Sequence, residues 1–253
     1  MTDFIKAENL IAAMNYLYSD YLINSSIIEP IKAGTVEVLY ASHDCVMVKD
    51  NYTSVVMLQT ENLELADKLL DNLPHGTTHI VAHNDELQKL VEKKLDYNVS
   101  VPCYQAVYRK EPFELTDTGD LKIRLLREDE ADIACRLYHF THEDAIEHIK
   151  LGLVYGGFCG DEAAAIIGMH MQGSMGILSV DEKFRRRGYG EIMEKFLINS
   201  LLEKGLVPYC QIIEDNVASL SLQSKLGLDI SKNMLYWMRD EEKLKIACEN
   251  AFR

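Results

Sequence analysis

The chain has 253 residues, 47% of them hydrophobic and 26% charged, a balance that suits one large or two medium globular domains and excludes disorder as the main state. With 14 Gly and 5 Pro it is neither collagen-like nor low-complexity, and no apolar run approaches the ~20 residues that cross a bilayer. The 26 basic and 40 acidic residues leave a formal charge of −14, which argues against nucleic-acid partners and would tolerate or attract cationic partners such as amines; no membrane partner is expected.

The first segment, 6–24, reads as a helix because Leu10, Ile11, Met14, Leu17 and Tyr21 recur at helical spacing. Two β-like runs follow, Thr35–Tyr40 and Cys45–Val48, and a third, Thr53–Leu58, comes after the Asp50-Asn51 turn signal. An amphipathic helix is expected over 61–73, ended by Pro74-His75-Gly76. A short strand His79–Ala82, a helix capped by Asn84 and running to about Lys94, and a strand Val99–Tyr108 complete a mixed α/β unit. The polar stretch 110–120 is rich in turn residues and is expected to separate two domains, 1–117 and 118–253.

The second half opens with a strand, Lys122–Leu126, then helical stretches at 128–139 and 142–150. Strands are expected at Val154–Phe158, Ala163–Met171 and Met175–Val180. A basic loop, Asp181–Arg187, leads into a helix over 189–204 whose apolar face carries Ile192, Met193, Phe196, Leu197, Leu201 and Leu202, with Gly205 as its stop. A strand Tyr209–Ile213, a helix Asn216–Leu226 and a strand Asn233–Met238 finish the pattern. Excess acid sits in the first half: residues 1–118 hold 9 basic and 18 acidic residues.

Chemistry concentrates at Arg185-Arg186-Arg187-Gly188-Tyr189-Gly190, between a strand and a helix. The first turn of a helix offers unpaired N–H groups and the positive end of its dipole. Glycines admit close approach and positive φ, and guanidinium groups add charge, so the spacing describes a phosphate or diphosphate site. The plain alternative is a solvated basic loop with capping glycines. The pattern is not a P-loop, since G-x-x-x-x-G-K-[ST] is absent, nor a dinucleotide fingerprint, which needs a third glycine.

The spacing Arg185-x-x-Gly188-x-Gly190 after a strand resembles the acyl-CoA signature of the GCN5-related N-acetyltransferase (GNAT) superfamily. The downstream block Asn216, Ser219, Lys225, Gly227, with Leu228 where the family has Phe, is similar to that family's N-x-x-S…K-x-G-F helix. Tyr209-Cys210 with Asn216 looks closest to the FR47-like and glycine N-acyltransferase branch. The resemblance implies a GNAT fold in the C-terminal domain. Before it stands a smaller α/β domain, which is either a divergent GNAT-like half or a substrate-side partner. That first domain has no Arg/Gly loop and is expected on the acceptor side, with the acceptor in a cleft between the domains. It further implies transfer of an acetyl group from acetyl-CoA to a primary amine of a small molecule or peptide. A CoA-sensing pseudo-enzyme is the alternative.

By the same resemblance, backbone amides of about 186–191, spanning Arg186, Arg187, Gly188, Tyr189, Gly190 and Glu191, hold the CoA diphosphate beside Arg185. Leu178, Ser179 and Val180 pair with pantetheine, and Asn216 and Ser219 complete the donor set. Many relatives carry a Tyr acid at the position of Gln223, and an amide cannot replace it as a proton donor. Ser219, Ser221 and Tyr189 are the other hydroxyls to weigh. For the base, Glu214 at the end of its strand comes first and His170 second. No metal is expected: His75, His79 and His83 are spaced by four, but Pro74 and Gly76 break any common helical face. Trp237, the only Trp, is expected in the core. The six cysteines are scattered without a C-x-x-C pair, and the opening Met1-Thr-Asp-Phe-Ile-Lys lacks an apolar leader. Both point to reduced thiols in a cytoplasm. A homodimer is compatible with the sequence, which names neither the oligomeric state nor the acceptor.

Overall fold

The computed structural model describes residues 7–53, 55–115 and 118–241. Cys248, the chain ends and part of the 110–120 stretch lie outside those residues. The chain forms two compact units: Met1–Ala106 with Ile212–Val217 and Ile230–Arg253, and Val107–Gln211 with Ala218–Asp229. They differ in extent from 1–117 and 118–253, because the chain returns to the first unit twice.

In the first unit, α1 (Ala7–Tyr18) and α2 (Tyr21–Ala33) replace the single helix expected over 6–24. The break is an N-cap: Asp20 Oδ1 accepts the Ile23 N–H. The polar run Asn24-Ser25-Ser26 does not end α2, and each of its side chains finds a partner, although Asn24 Oδ1 is left buried and unpaired. Asn24 donates to the Leu17 carbonyl, Ser25 to Leu22, and Ser26 pairs with the His83 ring. Pro30 is tolerated in the last turns of α2, and Gly34 ends the helix at φ 70°.

β1 (Val36–Ala41), β2 (Cys45–Asp50) and β3 (Val55–Thr60) form an antiparallel meander. α3 (Leu63–Leu70) then crosses to β4 (His79–Ala82), which pairs parallel to β3. α4 (Asp85–Leu95) is capped by the Asn84 side chain, as expected, and leads to β5 (Val99–Val107). β2, β3 and β4 alternate residue by residue between two cores. Val46 and Val48 of β2 face a cluster with Leu17, Ile27 and Ile28, whereas Cys45 and Met47 face one with Leu70, Leu87 and Val91. Trp237 packs on the first of these, in line with its expected core role.

The second unit begins with β6 (Leu121–Leu125), then α5 (Ala131–Tyr138) and α6 (His142–Lys150). β7 (Val154–Cys159), β8 (Glu162–Met169) and β9 (Met175–Val180) follow in antiparallel sequence, giving a four-stranded sheet ordered β6-β7-β8-β9. α7 (Tyr189–Glu203), β10 (Tyr209–Ile213), α8 (Val217–Leu226) and β11 (Asp229–Arg239) complete the described chain. The other sheet has the order β1-β2-β3-β4-β11-β5-β10. β11 is thus inserted between the sequence neighbours β4 and β5, pairing Trp237 with Val81 and Met238 with Ile80. β9 and β10 are not hydrogen-bonded neighbours; each ends its own sheet.

His83 illustrates how this burial couples to pH. Its ring contacts Ser26 Oγ at 3.0 Å and the Leu58 carbonyl at 3.3 Å, and burial pushes its pKa down to about 4. A His protonated more readily in the unfolded chain destabilises the fold as pH falls from about 6.5 to about 4. The expected loss from this residue is on the order of 3 kcal/mol. His170, likewise lowered to about 4, acts in the same direction. Urea titrations from pH 7 to 4.5 should show a falling midpoint, with the fall reduced in His83→Gln. An unchanged pH slope in that variant would contradict the assignment.

Candidate active site

The site grows from an irregularity in β9. Gly176 pairs with Gly168 and Ser179 with Ile166, so three steps on β9 oppose two on β8. The extra residue is a β-bulge at Ile177-Leu178. Ile177 takes φ 58°, a strained value for a β-branched side chain. It is held there by burial at 1% exposure among Leu126, Leu137 and Ile166, and its backbone hydrogen-bonds the Tyr138 hydroxyl. A bulge re-aims backbone groups. Because β9 is the last strand of its sheet, Leu178, Ser179 and Val180 have an edge available to an extended ligand.

Downstream, Asp181 starts a short turn by accepting the Lys183 N–H and is ion-paired with Arg136, while Glu182 lies 3.4 Å from Arg185. Arg185 Nε donates to the Val180 carbonyl at 3.3 Å, and Arg187 stacks over the Phe184 ring at 5.1 Å. All three arginines are exposed. Arg186 and Gly188 take positive φ, 63° and 81°, and Gly188 is the N-cap of α7 without any capping side chain. The first bond of the helix runs from the Ile192 N–H to the Gly188 carbonyl. The N–H groups of Tyr189, Gly190 and Glu191 precede that bond, at the positive end of a 15-residue helix. A Cβ at Gly188 would meet nothing within 4 Å, so the space before the helix is open. A Cβ at Gly190 would lie 3.8 Å from Val180 and 4.0 Å from Leu178, which sets the helix start directly against the bulged strand. A free strand edge and a bulge thus lie against a bare helix N-terminus, whose N–H groups could take an anion.

Comparison with known proteins bears on the fold. Residues 150–238 match the family model described as FR47-like protein. Among solved structures, a Drosophila protein superposes with a TM-score of 0.61 at 14% identity, covering 92% of this chain and 95% of its own. A GNAT-family acetyltransferase described as putative, from Novosphingobium aromaticivorans, gives 0.56 at 16% identity, covering 87% and 96%. A tandem GNAT protein from the clavulanic acid biosynthesis pathway gives 0.50 at 10% identity, covering 92% and 95%. Residues 150–238 are thus similar to the FR47-like family, and the fold is that of these GNAT structures. No curated protein sequence matches it. The expected mixed α/β class holds, and a two-domain GNAT arrangement fits the tandem relative.

Within this GNAT fold the remaining candidates fall in different surroundings. Tyr189, weighed as an acid, turns inward at 5% exposure. Its hydroxyl donates to Asp120 at 2.5 Å and accepts from Cys159, and its pKa is pushed up to about 12, first by the Asp120 bond. Its side chain therefore anchors the start of α7, and its backbone N–H alone faces the open end. Glu191 joins Lys195 at 2.8 Å and Lys225 of α8 at 2.6 Å, so its charge at the helix start is matched by two cations. Ser219 lies in the first turn of α8 within the second unit, whereas Asn216 belongs to the 212–217 segment of the first unit.

His170 sits in the β8–β9 turn, its ring 2.5 Å from where a Gly176 Cβ would stand. Burial, then the neighbouring His148, push its pKa down to about 4, so the imidazole is neutral at pH 7 and a weak base. Glu214 is exposed at the end of β10, its N–H bonded to the Pro102 carbonyl at 3.0 Å. It lies in the first unit near Tyr236, whose hydroxyl donates to Asp85 at 2.8 Å. Among the described residues no group of three His, Cys, Asp or Glu is arranged to hold a metal, and no helix is long and apolar enough to cross a membrane.

Two features escaped sequence reasoning. The Ile177 bulge has no composition signal, since an apolar strand reads the same with or without it. Glu194 is buried at 3% exposure on α7, hydrogen-bonded to Gln223, with burial raising its pKa to about 7. Its spacing with Leu197 and Leu201 is helical, and an acid at i, i+3, i+7 of an apolar face was the signal available.

Proposed function

We propose that the protein is an acetyl-CoA-dependent N-acyltransferase acting on a primary amine of a small molecule or peptide. The observation that carries this reading is the bulged free edge at Ile177–Val180 set against the bare N-terminus of α7. The Tyr189–Glu191 amides and Arg185–Arg187 would hold the diphosphate, with Asn216 and Ser219 in the donor set. Ser179 and Val180 would pair with pantetheine, and a backbone N–H near Leu178 would steady negative charge developing on the thioester oxygen. The amine nitrogen bonds to the carbonyl carbon as the C–S bond breaks. Glu214, or else His170, takes the ammonium proton, and the thiolate takes a proton from water. The acidic first unit suits a cationic acceptor and is assigned to acceptor choice. A cytoplasmic setting follows the sequence expectation.

Gln223 favours a second reading, a CoA-binding regulator without efficient transfer, because an amide cannot supply a proton to the leaving thiolate. Steady-state release of free CoA thiol across a panel of primary amines separates them. Catalytic turnover with at least one amine is expected. Tight CoA binding with no thiol release from any of them would favour the regulator.

A further inference from the structure

A steric role for His170 follows from its place over β9. Gly168 of β8 and Gly176 of β9 are directly paired, so they share one face of the sheet. Neither position has room for a side chain. A Cβ at Gly168 would stand 2.5 Å from the Leu153 carbonyl oxygen. One at Gly176 would stand 2.5 Å from His170 Nε2 and 2.9 Å from its Cδ2. The pair is therefore a stretch of bare backbone with the imidazole laid against it, and Gly176 remains partly exposed.

The turn that carries the ring is tied at its base. The His170 N–H donates to the Ser174 carbonyl at 2.9 Å, and the His170 carbonyl accepts the Gly173 N–H at 2.9 Å. His148, itself buried, lies close enough to act on the imidazole, and the Phe140 ring packs on His148 with centroids 4.8 Å apart. An imidazole in such surroundings does not move aside freely.

Order along β9 gives this ring its meaning. The diphosphate is assigned to the start of α7, pantetheine to Val180 and Ser179, and the thioester carbonyl to the neighbourhood of Leu178. A linear donor laid out in that order carries its acyl chain on past Leu178, toward the start of the strand. The Ile177 side chain is buried at 1% exposure, so Gly176 is the next open position. Leu178 to Gly176 is at most about 7 Å of strand, room for an acetyl group and about one or two further carbons. We propose that His170 is a specificity-determining residue, whose ring over the Gly168–Gly176 pair closes the acyl end of the donor site and restricts it to short groups, acetyl and propionyl. This rests on the acyl-CoA reading above. The limit is one of shape, so it needs neither charge on the imidazole nor a proton from it.

Calorimetric titration of the full chain with acetyl-, propionyl-, butyryl- and hexanoyl-CoA, without any amine, reads the limit directly. The unmodified protein should bind the first two within about threefold of each other and hexanoyl-CoA at least about tenfold more weakly. In His170→Ala the ring is gone and the glycine floor remains. Butyryl-CoA should then gain about tenfold relative to acetyl-CoA, the value of burying two more methylenes. His170→Leu cannot act as a base but keeps the bulk, and should retain the preference for short chains. Free CoA, which has no acyl group, should bind all of these proteins alike. Equal affinity for hexanoyl-CoA and acetyl-CoA in the unmodified protein overturns the proposal, whether or not either variant folds. So does an unchanged donor ratio in folded His170→Ala, or a ratio that relaxes as far in His170→Leu. If the unmodified protein does not bind free CoA, the acyl-CoA reading itself fails. That outcome is distinguishable, because free CoA does not extend to residue 170.

Discussion

Replacing Gly188 by Asp should reduce acetyl-CoA affinity by more than about 100-fold while leaving the fold intact. Gly188 is the N-cap of α7 at φ 81°, with nothing within 4 Å of the position a Cβ would take. An added side chain therefore clashes with nothing in the protein and projects into the space before the helix. Asp and Asn share a shape and both tolerate positive φ better than other side chains. Only Asp brings a negative charge to the place assigned to a diphosphate. Removing an anion from water beside a like charge costs several kcal/mol. Gly188→Asn should accordingly lose about tenfold or less, with a melting temperature close to that of Gly188→Asp. Calorimetric titration of both variants decides the matter. Equal affinities would mean that no anion is held at this terminus.

The second large effect is expected at Glu214. Glu214→Gln keeps the shape of an exposed strand-end side chain and removes its basicity. General-base loss typically lowers rate by ~10²–10⁴. The expected result is a fall of that order in kcat/KM at neutral pH, unchanged acetyl-CoA affinity, and partial recovery at high pH, where solvent supplies free amine. His170→Asn is the matched control. Its imidazole is buried and its pKa lowered to about 4, so it should cost less than tenfold if Glu214 is the base. A near-normal rate in Glu214→Gln with a large loss in His170→Asn would transfer the role.

Much of the second unit was readable from residue order. The run Arg185–Gly190 between an apolar strand and an apolar helix could be read as a candidate anion site, because glycine and helix-terminus physics is local. The expected strands at 154–158 and 175–180 and the helix from 189 match β7, β9 and α7 closely. The first unit was less legible. The helix was expected to stop at 24, but α2 runs on to Ala33; the partners of Asn24, Ser25 and Ser26 are Leu17, Leu22 and His83, and the His83 contact spans 57 residues. Tyr189 read as a hydroxyl available for chemistry, and its bond to Asp120 crosses 69 positions.

Sequence by itself determined what depends on neighbours within a turn or a strand: the periodic apolar faces, the Asn84 cap, the positive φ at Gly188 and the charged loop before α7. Tertiary structure alone decided which strand meets which. The alternation of Leu235 and Met238 marks β11 as a strand with two buried faces, yet nothing in that pattern names β4 as its partner, because many strands offer the same pleat and the same apolar faces. The same holds for Ile177, whose strained φ accompanies the bulge that sets Ile177 and Leu178 of β9 against one residue of β8. It holds for Glu194, whose pKa is raised by burial and partly offset by its hydrogen bond to Gln223. Backbone strain and a buried carboxyl are both unfavourable in isolation, so local propensity argues against them and only the surrounding packing sustains them.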